Sequence, residues 1–286
     1  MLSRKRKIID TFLRFLIYLC AGFSVVLLVG IILYVLVKGL STVSWSFLTS
    51  VTSVLNGTVG IAGNIVNTIL IVLMTMVVAI PIGVGSAIYL NEYAKPGKLV
   101  NMIEFTTETL SGIPSIIFGL FGFIFFGGVL GLGYSILTGC LTMTLMVLPL
   151  ITRNTQEALK SVPDSYRSGA IGMGAEKWYM IRTILLPAAM PGIVTGVILA
   201  IGRIVGESAA LLFTAGSGYA LPKTLSAAGS KVFQSGGTMT IQMYLSMQDG
   251  KYDTAFGIAV VLLLLVLFIN FLTHYLSDKF DVQKRK

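Results

Sequence analysis

Between Glu108 and Arg153 the chain runs for 44 residues, 109–152, without one charged side chain. In water such a stretch would have to be buried whole. At about 1.5 Å per residue it makes roughly 66 Å of helix, twice the thickness of a bilayer core. Residues 15–37, 65–90 and 254–277 are also free of Asp, Glu, Lys and Arg, and each is long enough for one crossing. The whole chain is 12% charged and 55% hydrophobic, with a mean hydropathy of +0.88. Soluble domains carry about a quarter charged residues. The expectation is an all-α integral membrane protein.

Six spans are predicted: 15–37, 65–90, 109–128, 134–152, 188–213 and 254–277. Gly127, Gly128, Gly131 and Gly133 mark the turn that divides the long run. Residues 1–14 and 278–286 flank this membrane domain on one side. The basic "SRKRK" precedes an apolar stretch too long for a cleaved leader and without a small-x-small site, so it reads as a retained first helix. With both ends cytoplasmic, Lys38, Lys223, Lys231 and Lys251 lie outside, Arg203 lies in the membrane, and the other sixteen of 21 basic residues are cytoplasmic. The net charge of +9 therefore reflects topology rather than nucleic-acid binding.

Chemistry-bearing residues are sparse. Cys20 and Cys140 stand alone in apolar runs, and His274, near a helix end, suits an interfacial place. There is no metal-ligand spacing and no Ser/His/Asp arrangement, so no catalytic residue and no metal ligand is assigned. A Walker A sequence is absent as well.

Several segments carry two readings. Pro81, followed by Gly83 and Gly85, suits a kink with close helix contact. In "ETLSGIPSIIF", Gly112 and Pro114 should interrupt the third span. The break is a packing kink, or it exposes backbone beside a substrate as in transporters, with Ser111 and Ser115 as anion contacts. Trp45 and Phe47 are available as interface anchors. The outer loop 214–253 is an ordinary solvated loop or a docking surface for an external partner.

In "GVILAIGRIVGESAALLF", Arg203 and Glu207 are spaced to share a helix face. An arginine in mid-span costs about 2.5–3.5 kcal/mol on insertion scales, so something must compensate. Arg203 lies about 24 Å beyond Pro187 on a continuous helix, past the midplane. Either the two charges pair to fix packing, or Arg203 faces a path and binds an oxyanion. Glu207 would then hold Arg203 between cargoes and accept from a protonated anion, which would reject sulfate. Arg153, at the end of span four, suits a positive-inside anchor.

The most specific signal lies between spans four and five, in the loop 153–187, where the chain from 157 to 192 reads "EALKSVPDSYRSGAIGMGAEKWYMIRTILLPAAMPG". Pro163 and Asp164 suit a helix start, and Gly174 suits a left-handed stop. A second helix, 175–185, follows, with Trp178, Ile181, Ile184 and Leu185 on one face. Pro187 then opens the next span. Such a helix-turn-helix suits insertion into a partner's groove.

This loop resembles the EAA loop of ABC importer permeases, whose pattern is E-A-A, three residues, G, nine residues, I-x-L-P. Ser168, Gly169 and Ala170 stand at E-A-A, Gly174 and then Ala175 follow, and Ile184, Leu186 and Pro187 stand at I-x-L-P. Ser168 and Gly169 depart from the pattern. "GIPSIIFGLFG", "NEYA", "VPDSYR" and "GRIVGESAALLFTAG" extend the resemblance over nearly the whole chain, to the PstA permeases of phosphate importers.

The resemblance implies a type I, MetI-like permease that forms half of a path for inorganic phosphate, with the loop as coupling site for a separate ATPase, and it gives Arg153 a second reading as an anion contact at the exit. It also implies a second, PstC-like permease, two PstB-like ATP-binding subunits that use ATP and Mg, and an external PstS-like phosphate-binding protein. No cofactor is bound by the chain itself. A cargo such as molybdate or phosphonate, a PstC-type identity, and an ATP-independent secondary transporter or channel are the alternatives.

Overall fold

The computed structural model describes residues 4–53, 58–221 and 229–280. Lys223 and residues 281–286 fall outside this set, and so does the side chain of His274. Five helices are long and apolar enough to cross a membrane: Ile9–Gly39, Ala62–Tyr93, Ile136–Lys160, Lys177–Gly206 and Tyr252–Leu272. The bent pair Lys98–Ser111 and Ser115–Val129 makes a sixth.

In chain order, α1 (Arg4–Gly39) leads to α2 (Trp45–Thr49) and a short antiparallel hairpin, β1 (Val51–Ser53) with β2 (Thr58–Ile61). Then come α3 (Ala62–Ile88), α4 (Lys98–Ser111), α5 (Ser115–Gly122) and α6 (Ile136–Lys160). The next segment holds α7 (Asp164–Gly172) and α8 (Lys177–Met180), which leads into α9 (Leu186–Gly206). The chain closes with α10 (Ala209–Thr214), α11 (Met239–Gln248) and α12 (Tyr252–Phe280).

The third span differs from the stretch expected at 109–128. Helix α4 ends at Ser111, and the axis turns by 102° before α5 starts at Ser115. Pro114 disfavours helical backbone at Ile113, and Gly112 offers no side chain to hold the turn. With its wide-turn extension to Val129, α5 is about 22 Å long, short of the roughly 30 Å core of a bilayer. The turn to α6 uses Gly131 and Gly133, both at positive φ, as the glycine cluster predicts.

The expected separate helix at 175–185 is instead the start of a single rod, Lys177–Gly206. Pro187 does not open this span. It sits inside the rod, just after a π-helical turn at Ile181–Leu185. Proline removes one i→i−4 bond and its ring presses on the preceding turn, and a widened turn accommodates both. The span ends at Gly206 rather than 213. Helix α3 likewise continues through Pro81.

The centre of the molecule is α3, α6 and α9. Ile71, Ala79, Met143, Val147, Ile151, Ala200 and Ile204 share one buried cluster. Glycine sets how closely the rods approach. A Cβ on Gly83 would lie 2.8 Å from Ile151 Cγ2, and one on Gly196 would lie 2.6 Å from Asn154 Cβ. Gly85, expected to help, faces open space. By contrast, α1 buries almost nothing along its span and leans on α12 near its outer end, where Tyr34 meets Phe256 edge-on at 5.7 Å.

Two outer segments are corrected. Phe47 is a core residue rather than an interface anchor, packed with Ile61, Met239 and Ile258, while Trp45 is exposed. The loop 214–253 contains α11, whose Met239, Thr240, Ile241 and Ser246 are buried, so it is neither unstructured nor wholly solvated. It is tied down at the first turns of α3. Asn64 donates to the Gly237 carbonyl at 3.0 Å, and Asn67 donates to the carbonyls of Gly218 and Gly237.

Candidate functional site

Arg203 occupies the last turn of α9, and Glu207 lies one residue past its end. The helix stops at Gly206, and Glu207 takes an extended backbone, φ −78° and ψ 127°. The i, i+4 face that would have paired the two charges therefore does not exist. The ion pair expected from the spacing is absent among the described residues, because the helix stops one residue too soon. Instead, the Ala210 N–H donates to Glu207 Oε1 at 3.1 Å, and Thr240 Oγ1 donates to the Glu207 carbonyl at 2.8 Å. Glu207 holds the break together by meeting an otherwise orphaned N–H at the start of α10 and anchoring to α11.

Arg203 is exposed and makes no hydrogen bond or ion pair among the described residues. Its depth follows from the helix register. Gly192 abuts Ala158 and Gly196 abuts Asn154, so α9 and α6 run in opposite directions. Continuing this register puts Arg203 level with Val147, near the middle of α6 and about 9 Å along the axis from Arg153. An uncompensated cation thus stands exposed on the surface of the central three-helix block, beside the middle of α6 rather than toward its far end.

Arg153 lies at the α4–α6 contact, beside a cavity of about 230 Å³ lined by Glu104, Thr107, Glu108, Gln156, Glu157 and Lys160. It reaches Glu108 at 3.5 Å and Glu157 at 3.4 Å. These distances are long for charge-assisted hydrogen bonds, and the groups are exposed, so the tethers are weak. Three carboxylates face two cations here, which makes the cavity a poor resting place for an anion. Ser111 donates to the carbonyl of Glu108 within its own helix at 2.7 Å. Ser115 is half-buried at the start of α5.

The loop expected to couple to an ATPase forms as α7, a left-handed stop and the first turns of the rod Lys177–Gly206. Gly174 has φ +78°, and the Ala175 N–H donates to the Ala170 carbonyl at 3.0 Å, which closes α7. Pro163 stands at the N-cap, one residue before the position expected for it. The loop's pattern residues divide into two sets. Ser168, Gly169 and Gly174 are exposed, whereas Ala170 is buried and Ala175, Ile184 and Leu186 pack on the cluster formed with α3 and α6; Pro187 is half-buried. The second set fastens the loop to its own spans. Its outward face is apolar and aromatic: Tyr166, Ile171, Met173, Trp178 and Tyr179 are exposed. Trp178 was grouped by spacing with Ile181 and Leu185. Those two are buried in the cluster with Met180, whereas Trp178 faces outward, so the buried face runs through Met180 and Ile181 and misses Trp178.

One shielded ion pair is not evident from the sequence. Arg167 bonds Glu92 through Nε at 3.3 Å and Nη2 at 3.0 Å, with the side chains 19% and 6% exposed. The two residues are 75 apart. Both lie in segments singled out by resemblance, "NEYA" and "VPDSYR", but nothing in either segment says that they meet. Removing one partner of a buried pair typically costs about 3–5 kcal/mol.

The comparisons with known proteins follow the fold. Residues 79–285 match the family described as binding-protein-dependent transport system inner membrane component. The chain is 39% identical over 211 residues to a probable ABC transporter permease protein, YqgI, of Bacillus subtilis, covering 74% of this chain and 72% of that one. It is 33% identical over 278 residues to the phosphate transport system permease protein PstA 2 of Mycobacterium bovis, covering 96% of this chain and 91% of that one. Among solved structures, a bacterial alginate ABC transporter superposes with a TM-score of 0.70 over 97% of this chain and 98% of the other, at 13% identity. At that identity the likeness is one of fold.

Proposed function

The chain belongs to the family of inner membrane components of binding-protein-dependent transport systems, and from that premise we propose that its cargo is inorganic phosphate. The relatives named as phosphate permeases support this reading, and one of them aligns over 96% of the chain. Arg203 is the observation that carries it. A guanidinium beside the middle of a membrane-spanning helix, exposed on the helix block and without a partner among the described residues, calls for a counter-charge from beyond this chain. An oxyanion in a path shared with a second permease supplies one, with two parallel hydrogen bonds to the fork.

Glu207 keeps one carboxylate oxygen on the Ala210 N–H. Its other oxygen is left to accept from a protonated phosphate. Sulfate has no such proton at neutral pH and meets a bare carboxylate. Arg153, weakly held between Glu108 and Glu157, serves as a latch between α4 and α6 at the exit rather than as a resting site, and Ser115 lines the break beside it.

In this reading both termini are cytoplasmic. The chain forms half of the path beside a PstC-like permease and receives phosphate from a PstS-like binding protein. Tyr166, Ile171, Met173, Trp178 and Tyr179 dock into PstB-like subunits, which hydrolyse ATP with Mg.

The test is ATP-dependent uptake of labelled phosphate by vesicles holding the full complex, comparing wild type with Arg203→Gln. Loss of uptake with assembly and basal ATP hydrolysis intact is the expected result. Undiminished uptake in the variant removes Arg203 from the path. A wild-type complex that prefers molybdate in competition changes the cargo.

A further inference from the structure

Helix α7 has only one buried residue, Ala170, so apolar packing holds it weakly. Its firm attachment is polar. Besides the two bonds to Glu92, Arg167 donates through Nη1 to the Val162 carbonyl at 3.0 Å and to Asp164 Oδ1 at 3.1 Å. Through Nη2 it donates to the Leu159 carbonyl at 2.8 Å. One guanidinium thus joins the end of α6, the start of α7 and the end of α3. Glu92 lies in the π-helical turn Tyr89–Tyr93 that finishes α3, and Asn91 Nδ2 donates to the same carboxylate oxygen at 2.7 Å. A second strut comes from the far side of the loop, where Lys177 Nζ stands over the Tyr93 ring at 5.0 Å. Beneath them, Ile88, Leu159, Met180, Ile181 and Leu185 form a continuous apolar floor.

We propose that Glu92 and Arg167 are the mechanical link between the coupling loop and the membrane, so that displacement of α7 moves α3, α6 and α9 as one body. This rests on the reading of α7 and its flanks as the ATPase docking site. Shifting α7 against α3 would part a shielded charge pair. The bending is therefore left to the two breaks in the helices, at 112–114 and 207–208. Glu92 and Arg167 are positioning residues in this scheme, and they touch no cargo.

The experiment uses the full complex in vesicles and reads uptake per ATP hydrolysed. In Glu92→Gln, ATP hydrolysis stimulated by loaded binding protein persists while uptake per ATP falls about tenfold, a typical size for coupling between sites. A second variant separates linkage from folding. Glu92→Cys with Arg167→Cys, in a chain whose Cys20 and Cys140 are replaced, is uncoupled when open and regains coupling when bridged by a short bifunctional thiol reagent.

Unchanged uptake per ATP in Glu92→Gln overturns the proposal. So does a bridged pair as uncoupled as the open one, or loss of the ATPase from the purified Glu92→Gln complex. If wild type hydrolyses ATP without taking up phosphate, the cargo reading fails and the link is read by other means. A spin label at Lys95→Cys, measured against the ATPase as ATP binds, should move in wild type and stay still in Glu92→Gln, and equal movement in both overturns the link.

Discussion

The carboxylate of Glu207 accepts a hydrogen bond from the Ala210 N–H at 3.1 Å, across the break between α9 and α10. A side chain that stood in the sequence as a partner for Arg203 is instead a cap. Glu207→Ala loses this bond and should destabilise the purified chain by about 0.5–2 kcal/mol in thermal unfolding. Glu207→Gln keeps an acceptor oxygen for Ala210 but no charge. It should remain folded, and sulfate should begin to compete with phosphate uptake. If sulfate still fails to compete, the carboxylate serves the break alone.

Close approach of α5 to α10 depends on Gly119. A Cβ there would lie 2.7 Å from Ala210 Cα, which is backbone and cannot swing aside. Gly119→Ala should cost about 1–3 kcal/mol of stability, the usual penalty for forced overpacking. Gly85→Ala, where nothing lies within 4 Å, is the matched control and should unfold within a few tenths of a kcal/mol of wild type.

Gly174 turns the coupling loop at φ +78°, a region that β-branched residues avoid. Gly174→Val should misdirect the segment after α7 and reduce the ATPase recovered on affinity purification. Gly172→Ala, in open space with ordinary backbone, should recover it in full.

Lys231, 3% exposed in the outer loop between α10 and α11, has Nζ 3.4 Å from the Ser235 carbonyl. Burial pushes its pKa below the ordinary lysine value of 10.5. Between the lowered folded value and 10.5 the unfolded chain binds more protons than the folded one, so stability rises with pH across that window. Below the window both forms are charged and burial of the ammonium weakens the fold. Lys231→Met should be the more stable protein at neutral pH and should lose this pH dependence, which chemical denaturation at several alkaline pH values will read.

Much of the architecture was legible because it rests on local physics. Charge-free length announces the spans, Gly112 with Pro114 announces the break, and Gly174 announces the stop, since each acts on its own stretch of backbone. Errors arose where a local rule was opposed by something beyond its reach. Phe47 has the composition of an interface anchor, but Ile61, Met239 and Ile258 surround it. The polar-looking segment of α11 is drawn into the core because Asn64, Asn67 and Thr68 on α3 fasten the chain on either side of Thr238.

By itself, the sequence determined the class of molecule, the segments able to cross a membrane, and the helix and left-handed stop of the loop between the fourth and fifth spans, because hydrophobic length and backbone preference belong to neighbouring residues. Only the tertiary structure decided which charges meet. Arg203 is left open because α9 stops at Gly206, and Arg167 finds Glu92 because α3 packs closely on α6 at Gly83, which brings the end of α3 beside the end of α6 and the start of α7. A charge interacts with whatever lies within a few ångströms of it, and that neighbourhood exists only once the helices have packed.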